Sequence, residues 1–551
     1  MAGTPENPYP DERDTTVYAI SRRGALMAIA GFMSMIALPA LLWHLSQLGS
    51  GNWAQTPVAR LFSWRPGGTP LLDHLHATEK DLDKAGYATA LRQSVQKTLI
   101  TVAHEGNRKV FPGAGDWMHY QPELIALTGY GPLKREPFSV MKDPSVAKLS
   151  LAKPVVLEFA AQLKERGVPL LLIPLPVKPM IYPETISAGD FKEPLYHPDQ
   201  KALYDELRAA GMDVLDLAPE FWNLKRQKQV FLFQDTHWTP DAMKFAAELV
   251  IKHLRKKYPD LLPKPEGESP IVDARVLERE SLGDLVHLLD LRDPDSIFTR
   301  EPETLVSVRG LDPDPKSPIT LLGDSFVNIF DDPQLGFENP EKKEERLKAG
   351  FAHQLSVLLN RPLDVLAVNG GGATAARVEL ARRYDDEVRA KKLVIWAIAS
   401  RDLILSPPAA REANVEWRRV EFNPKTSDGA APASETGDGK IIIEAKLTGK
   451  SKNQDVGGSP YTEAMHTAVY EIEKVVSGEF KSEDWYAVQW TFRKKQMQPT
   501  AGFAPGKRYR LTLVPFDSSK PEFNGVNLRD DFEIEKISAD RWFVESAEEI
   551  N

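Results

Sequence analysis

The sequence predicts an α/β fold: a parallel sheet with flanking helices, with an apolar N-terminal helix ahead of it and an all-β domain behind it. Three observations carry this. Between about residues 105 and 410, short apolar runs alternate with amphipathic stretches, the pattern of a parallel sheet covered on both faces. The segment Gly24 to Trp43 carries no charge and at helical rise covers about 30 Å, the thickness of a bilayer core. Past a Ser-, Gly-, Pro- and Ala-rich stretch at 423–439, the texture changes to strands with one exposed face.

Taken in order, residues 1–23 are polar and end in Arg22-Arg23, and the next Lys or Arg is Arg60. The positive-inside rule then puts 1–23 in the cytoplasm, 24–43 across the membrane with Trp43 at the outer interface, and the remainder outside. Two other readings stay open. One is a buried core helix. The other is a cleaved export signal, because Ser21-Arg22-Arg23-Gly24-Ala25-Leu26 is similar to a twin-arginine signal. Residues 44–104 read as a spacer interrupted at Pro66-Gly67-Gly68, with a helix-period run from Leu71 to Leu99.

The α/β domain is expected over 105–422. A helix at Pro154–Arg166 leads into a strand at Val168–Pro174. Further strands are expected at Asp213–Leu217, Ile319–Gly323, Leu363–Val368 and Leu393–Ile398. These runs are too short for helices and too continuously apolar for one-sided sheets. After the 423–439 linker, residues 440–551 are expected to form a small barrel or sandwich. Its strands would be Lys440–Leu447, Thr467–Val476, Tyr486–Phe492, Arg508–Pro515 and Asp531–Ile537. The aromatics Trp485, Tyr486, Trp490 and Trp542 either fill this domain's core or stack on sugar rings, and Trp485 at a strand entry is the better stacking candidate.

Composition narrows function. The 551 residues suit two or three domains, and a net charge of -9 argues against a nucleic-acid partner. There is no cysteine, which excludes zinc-thiolate sites, iron–sulfur clusters, disulfides, a cysteine nucleophile and a lipoprotein anchor.

Three motifs carry chemistry. In Leu321-Leu-Gly-Asp-Ser-Phe326 a strand ends in Gly-Asp-Ser, so Ser325 falls at the carboxyl edge of the sheet, where open α/β folds place their sites. Ser325 reads as a nucleophile whose own N–H faces the oxyanion, or as part of a helix cap. In Phe233-Gln-Asp-Thr-His-Trp238 the one-residue spacing puts Asp235 and His237 on the same side. The carboxylate can then orient the imidazole as a base. A structural histidine or a metal ligand is the alternative, though no further histidines cluster nearby. Thr239-Pro240 opens the next helix. In Val368-Asn-Gly-Gly-Gly-Ala-Thr374, Asn369 is a second oxyanion candidate, or the loop is simply a tight turn; it matches neither phosphate-binding glycine pattern.

Together these motifs resemble the alginate O-acetyltransferase family (AlgJ and AlgX type), a branch of SGNH hydrolase-like proteins. The likeness covers roughly 105–410 and includes Phe111-Pro-Gly-Ala-Gly-Asp-Trp-Met-His-Tyr120, Leu172-Ile-Pro-Leu-Pro-Val-Lys178 with Tyr182-Pro183, and Ser281-Leu-Gly-Asp-Leu285. The Asp–His pair precedes the serine, as in that family. Met118-His119 departs from its apolar-aromatic opening. The resemblance implies acyl transfer through Ser325, with His237 as base and Asp235 as its orienting partner. Lys178, Tyr182 and Trp238 in the motifs, and Arg401, are expected substrate contacts. The implied partners are a polysaccharide acceptor, a multi-pass membrane acyltransferase supplying the acetyl donor, and other polysaccharide-export proteins. The implied setting is a bacterial inner membrane with the catalytic domain in the periplasm. No cofactor and no metal are expected. An acetylesterase with the same residues, or a non-catalytic polysaccharide-binding protein, are the alternatives.

Overall fold

The computed structural model describes residues 22–65, 70–133, 151–261, 273–338, 342, 345–413, 415–427, 440–457, 459–520, 522–532 and 537–550. The 1–21 tail, the Pro66-Gly67-Gly68 break and most of the 423–439 linker lie outside them. The chain divides into two compact units after Lys97.

In the first unit a helix runs from Arg22 to Gly49. Its apolar side chains, among them Leu26, Phe32, Leu38 and Leu42, are exposed on every face. A helix apolar all round is stable only where something other than water surrounds it. The expected run at 71–99 is two helices, Leu71–Lys84 and Gly86–Thr98.

The second unit opens with a hairpin of β1 (Val110–Pro112) and β2 (Met118–Tyr120). After the helix Ala152–Glu165 come β3 (Leu170–Leu175) and β4 (Asp213–Val214). A long hairpin of β5 (Asp273–Ser281) and β6 (Glu301–Arg309) follows, then β7 (Ile319–Gly323), β8 (Asp364–Ala367) and β9 (Leu393–Ala399). The five expected strands form one parallel sheet in the order β4-β3-β9-β7-β8. Alternation divides their side chains between two cores. Leu171, Ile173, Leu321 and Ile395 pack under the helices Pro240–Lys257 and Phe351–Leu359. Leu172, Leu322, Val394 and Trp396 pack under Ala152–Glu165 and Ala375–Ala381. Each of these fully buried aliphatic side chains contributes about 2 kcal/mol by its removal from water.

Beyond the linker stand β10 (Ile441–Lys450), β11 (Ala464–Ser477), β12 (Trp485–Arg493), β13 (Gln496–Met497), β14 (Arg508–Pro515), β15 (Asn527–Arg529) and β16 (Asp540–Ile550). Pairing runs β12-β16-β14-β10-β11 and closes through β11–β12, so the domain is a barrel. Two expectations are corrected. Residues 533–536 of the strand expected at Asp531–Ile537 lie outside the described residues, its remaining residues form no strand, and the barrel instead needs β16, which its charged sequence disguised. Trp485 is not a surface stacking platform: it is 8% exposed and packs on Tyr470 and Phe480 in the barrel core, and Tyr486 is buried as well. The entry to the strand faces inward because the barrel closes over it.

The barrel packs on the sheet domain through polar contacts. Arg541 of β16 holds Glu379 with two bonds of 2.6 and 2.9 Å, and the Asn369 N–H donates to the Gly525 carbonyl at 2.9 Å.

Candidate active site

Three chain segments meet at the carboxyl end of the sheet. The first is the end of β7. Asp324 caps the four-residue helix Ser325–Asn328, its Oδ1 accepting from the Phe326 N–H at 2.9 Å. The capping task thus falls to Asp324, and the Ser325 hydroxyl is free for other partners. The Ser325 N–H opens that helix and, like other first-turn donors, has no intrahelical acceptor.

The second is the loop 230–239. Thr239 caps the helix Pro240–Lys257, with its hydroxyl accepting from Ala242 N–H, and Phe231 bridges to Trp238. Between them Asp235 and His237 project together. Asp235 Oδ1 lies 2.5 Å from His237 Nδ1 and also accepts the His237 N–H at 2.9 Å. His237 Nε2 lies 2.8 Å from Ser325 Oγ. The imidazole packs on the Phe326 ring, 4.7 Å between centroids.

The third is Ser281–Leu288, at the base of the β5–β6 hairpin. Asp284 accepts from Thr236 N–H at 2.8 Å and Thr236 Oγ1 at 2.6 Å, while its own N–H donates to Asp235 Oδ2 at 2.9 Å. Gly283 is required here by close approach: a Cβ would stand 2.0 Å from the Gln234 carbonyl oxygen. At the same end of the hairpin, paired with Ser281, Glu301 accepts from the Phe233 N–H through its carboxylate and fixes the loop from below.

Asp235, His237 and Ser325 are all at most 4% exposed. Burial raises the Asp235 carboxyl, but His237 and the two N–H donors outweigh it and hold it below its ordinary value. Burial lowers His237, but Asp235 first, then Asp284 and Asp324, bring it above the ordinary imidazole value. Burial and the Asp235 charge push Asp284 up to about 6. Asp235, His237 and Asp284 lie close enough to suit a metal ion. Both ring nitrogens of His237, however, face protein partners, one a carboxylate and one the serine hydroxyl.

A cleft of about 740 Å³ opens beside these groups, lined by Asp235, His237, Asp284, His287, Tyr461 and Lys495 among others. The four expected substrate contacts do not line it, and each has a structural partner instead. Lys178 is fully buried and its Nζ donates to the Met118 and Phe233 carbonyls at 2.7 and 2.9 Å; burial lowers it to about 8. Tyr182 accepts the Val230 N–H at 2.9 Å. Trp238 is buried against Phe326 and Phe351. Arg401 pairs with Glu123 at 3.0 Å and lies over the Tyr120 and Phe326 rings. Asn369, the second oxyanion candidate, also has structural partners. Its Nδ2 donates to Asp332 at 2.7 Å and its Oδ1 accepts from Asn328 at 2.9 Å.

The sequence reading missed Asp284 as a third carboxylate, Glu301 as the loop's anchor, and Tyr461. Gly-Asp within Ser281–Leu285 was a signal for Asp284; Tyr461 had none.

The profile describing the SGNH hydrolase-like domain of the acetyltransferase AlgX matches residues 110–400. The chain belongs to this family. Within it, the chain is 26% identical over 382 residues to the probable alginate O-acetylase AlgJ of Pseudomonas aeruginosa, covering 67% of this chain and 90% of that protein. Among solved structures, the O-acetyltransferase domain of Pseudomonas putida AlgJ matches with 21% identity and a TM-score of 0.39, over 53% of this chain and 91% of that one. Pseudomonas aeruginosa AlgX matches with 16% identity and a TM-score of 0.38, over 75% and 92%. The region matched by the AlgX-family profile holds Asp235, His237, Asp284 and Ser325, and ends before Tyr461.

Proposed function

We propose that this protein transfers acetyl groups to hydroxyls of an alginate-like bacterial exopolysaccharide through an acetyl-Ser325 intermediate. The observation that carries the reading is the Asp235–His237–Ser325 relay at the carboxyl edge of the sheet, with donor-to-acceptor separations of 2.5 and 2.8 Å. Membership of an acetyltransferase family, and relatives named as alginate O-acetylases, support the acyl group and the acceptor class.

His237 Nε2 takes the Ser325 proton as Oγ bonds to the acyl carbon and the carbonyl electron pair moves onto oxygen. Collapse expels the donor's leaving group, which takes that proton from His237. In the second half His237 deprotonates a sugar hydroxyl, whose oxygen attacks acetyl-Ser325 and releases Ser325 with its proton restored. Burial of the relay limits competition from water. The apolar Arg22–Gly49 helix supports a single-pass anchor or an export signal, which would put this chemistry outside the cytoplasm; the donor would then come from a multi-pass membrane acyltransferase. A reporter active only outside the cytoplasm, fused after residue 551, should be active; activity confined to a cytoplasmic reporter contradicts that placement.

The reaction is tested by incubating the protein with an acetyl ester and an alginate-type oligosaccharide. Acetyl on the glycan is expected. Free acetate alone identifies an esterase, and neither product identifies a polysaccharide-binding protein.

The charges around His237 set its pH dependence. The base form is the active one, so turnover should rise with pH and inflect above the ordinary imidazole value of about 6.5. Asp284, 3.8 Å from Nδ1, is ionised in that range and favours the imidazolium. Asp284→Asn removes that charge, so the inflection should move acidward by about one unit. An unmoved kcat/KM profile would contradict this.

A further inference from the structure

The barrel does more at this site than stand beside it. Its segment 459–462 reaches over the end of β7. The Tyr461 ring rests on Gly370, where φ is +63° and any Cβ would stand 2.5 Å from the ring, so the loop after β8 is shaped to receive it. Lys495 Nζ donates to the Val456 and Ser459 carbonyls, the Tyr461 N–H donates to Ser459 Oγ at 3.2 Å, and Thr462 reaches Gln334 at 3.4 Å. The Tyr461 hydroxyl faces Ser325 closely enough for the two to interact. Tyr461 and His237 both line the cleft, and Ser325 lies behind them.

We propose that Tyr461 is a catalytic residue supplied by the barrel, its hydroxyl donating to the oxyanion formed when Ser325 attacks the acyl carbon. This rests on the reading of Ser325 as nucleophile. The oxyanion and Oγ are bonded to the same carbon, so a donor in reach of Oγ reaches the oxyanion after a small shift. Among the described residues, His237 is hydrogen-bonded to the Ser325 hydroxyl, and Tyr461 faces it from the barrel. His237 takes the proton, and Asn369 turns one amide hydrogen to Asp332, so Tyr461 is placed to join the Ser325 N–H as a donor from the barrel side. Burial raises the phenol well above its ordinary value, so it stays protonated and keeps its donor throughout the working range. The AlgX-family profile ends at residue 400, so this role falls outside the matched domain.

Tyr461→Phe in the full-length protein tests it. The ring and its seat on Gly370 are kept and only the hydroxyl is lost. Turnover of a chromogenic acetyl ester should fall on the order of 10²-fold in kcat with KM and thermal midpoint nearly unchanged. Labelling of Ser325 by a sulfonyl fluoride, read by mass spectrometry, should slow in parallel, since its addition also places negative charge beside Oγ. Unchanged kcat and labelling would show a packing residue, and faster rates a cover over Ser325; either overturns the proposal. If Ser325 in the unsubstituted protein is labelled no faster than in His237→Ala, the nucleophile reading itself fails and Tyr461's role falls with it.

Discussion

Ser325→Ala is expected to lower acetyl-ester turnover by about 10³-fold or more while leaving the protein folded. The two halves of this statement come from different atoms. In the proposed reaction Oγ is the atom that bonds to the acyl carbon, and its position 2.8 Å from His237 Nε2 would let its proton leave as that bond forms. Alanine supplies no nucleophile, so only the residual effect of binding and oxyanion donors survives. The fold is insulated because the helix cap at this point is Asp324, whose bond to Phe326 N–H alanine leaves untouched. Turnover by the purified variant and its thermal midpoint measure both halves. Activity equal to that of the unsubstituted protein would place the nucleophile elsewhere.

Lys178→Met should cost about 2–6 kcal/mol of stability, because each of two buried carbonyls left without a donor costs about 1–3 kcal/mol. The Lys178 ammonium is buried completely, between the Met118 and Phe233 carbonyls. Glu123, Asp235, Asp284 and Glu301 all lie near enough to raise its affinity for the proton, and burial still wins. Methionine matches the length but offers no donors, so two carbonyls lose their partner and four carboxylates lose a cation. Urea unfolding decides between this and the substrate contact first expected. A raised KM at unchanged stability would restore that expectation.

The difference between what was legible and what was not follows the range of each interaction. All five strands of the parallel sheet announced themselves because each is a local apolar run, and Ile319–Gly323 was placed residue for residue. Asp235 and His237 were legible because their partnership spans two positions and needs no knowledge of the fold. The serine's place at a strand end was equally local. The structural partners of Lys178, Tyr182, Trp238 and Arg401 were not legible, because a polar or aromatic residue in a motif can face a ligand or hold the loops that carry the ligand's site. Only the burial of Lys178 and the pairing of Arg401 with Glu123, 278 residues away in sequence, decide between them. The bond of Asn369 was hidden for the same reason, since its acceptor Asp332 lies on another loop. In the barrel, β16 was missed because its sequence Asp540–Ile550 is charged and partly exposed along its length, leaving little alternation to read. Tyr461 was invisible: Ser325, which it faces, sits in a different domain of the same unit, and no local pattern marks a tyrosine that reaches across.

Acyl transfer through Ser325 predicts a covalent species that can be caught. The full-length protein would be mixed with an acetyl ester, quenched in acid within the first turnover and digested, and the peptide bearing Ser325 weighed. One acetyl group on Ser325, lost on addition of an alginate-type oligosaccharide and absent in His237→Ala, is the predicted outcome. Glycan acetylation at full rate with Ser325 never modified, or with the acetyl group on another residue, would contradict it.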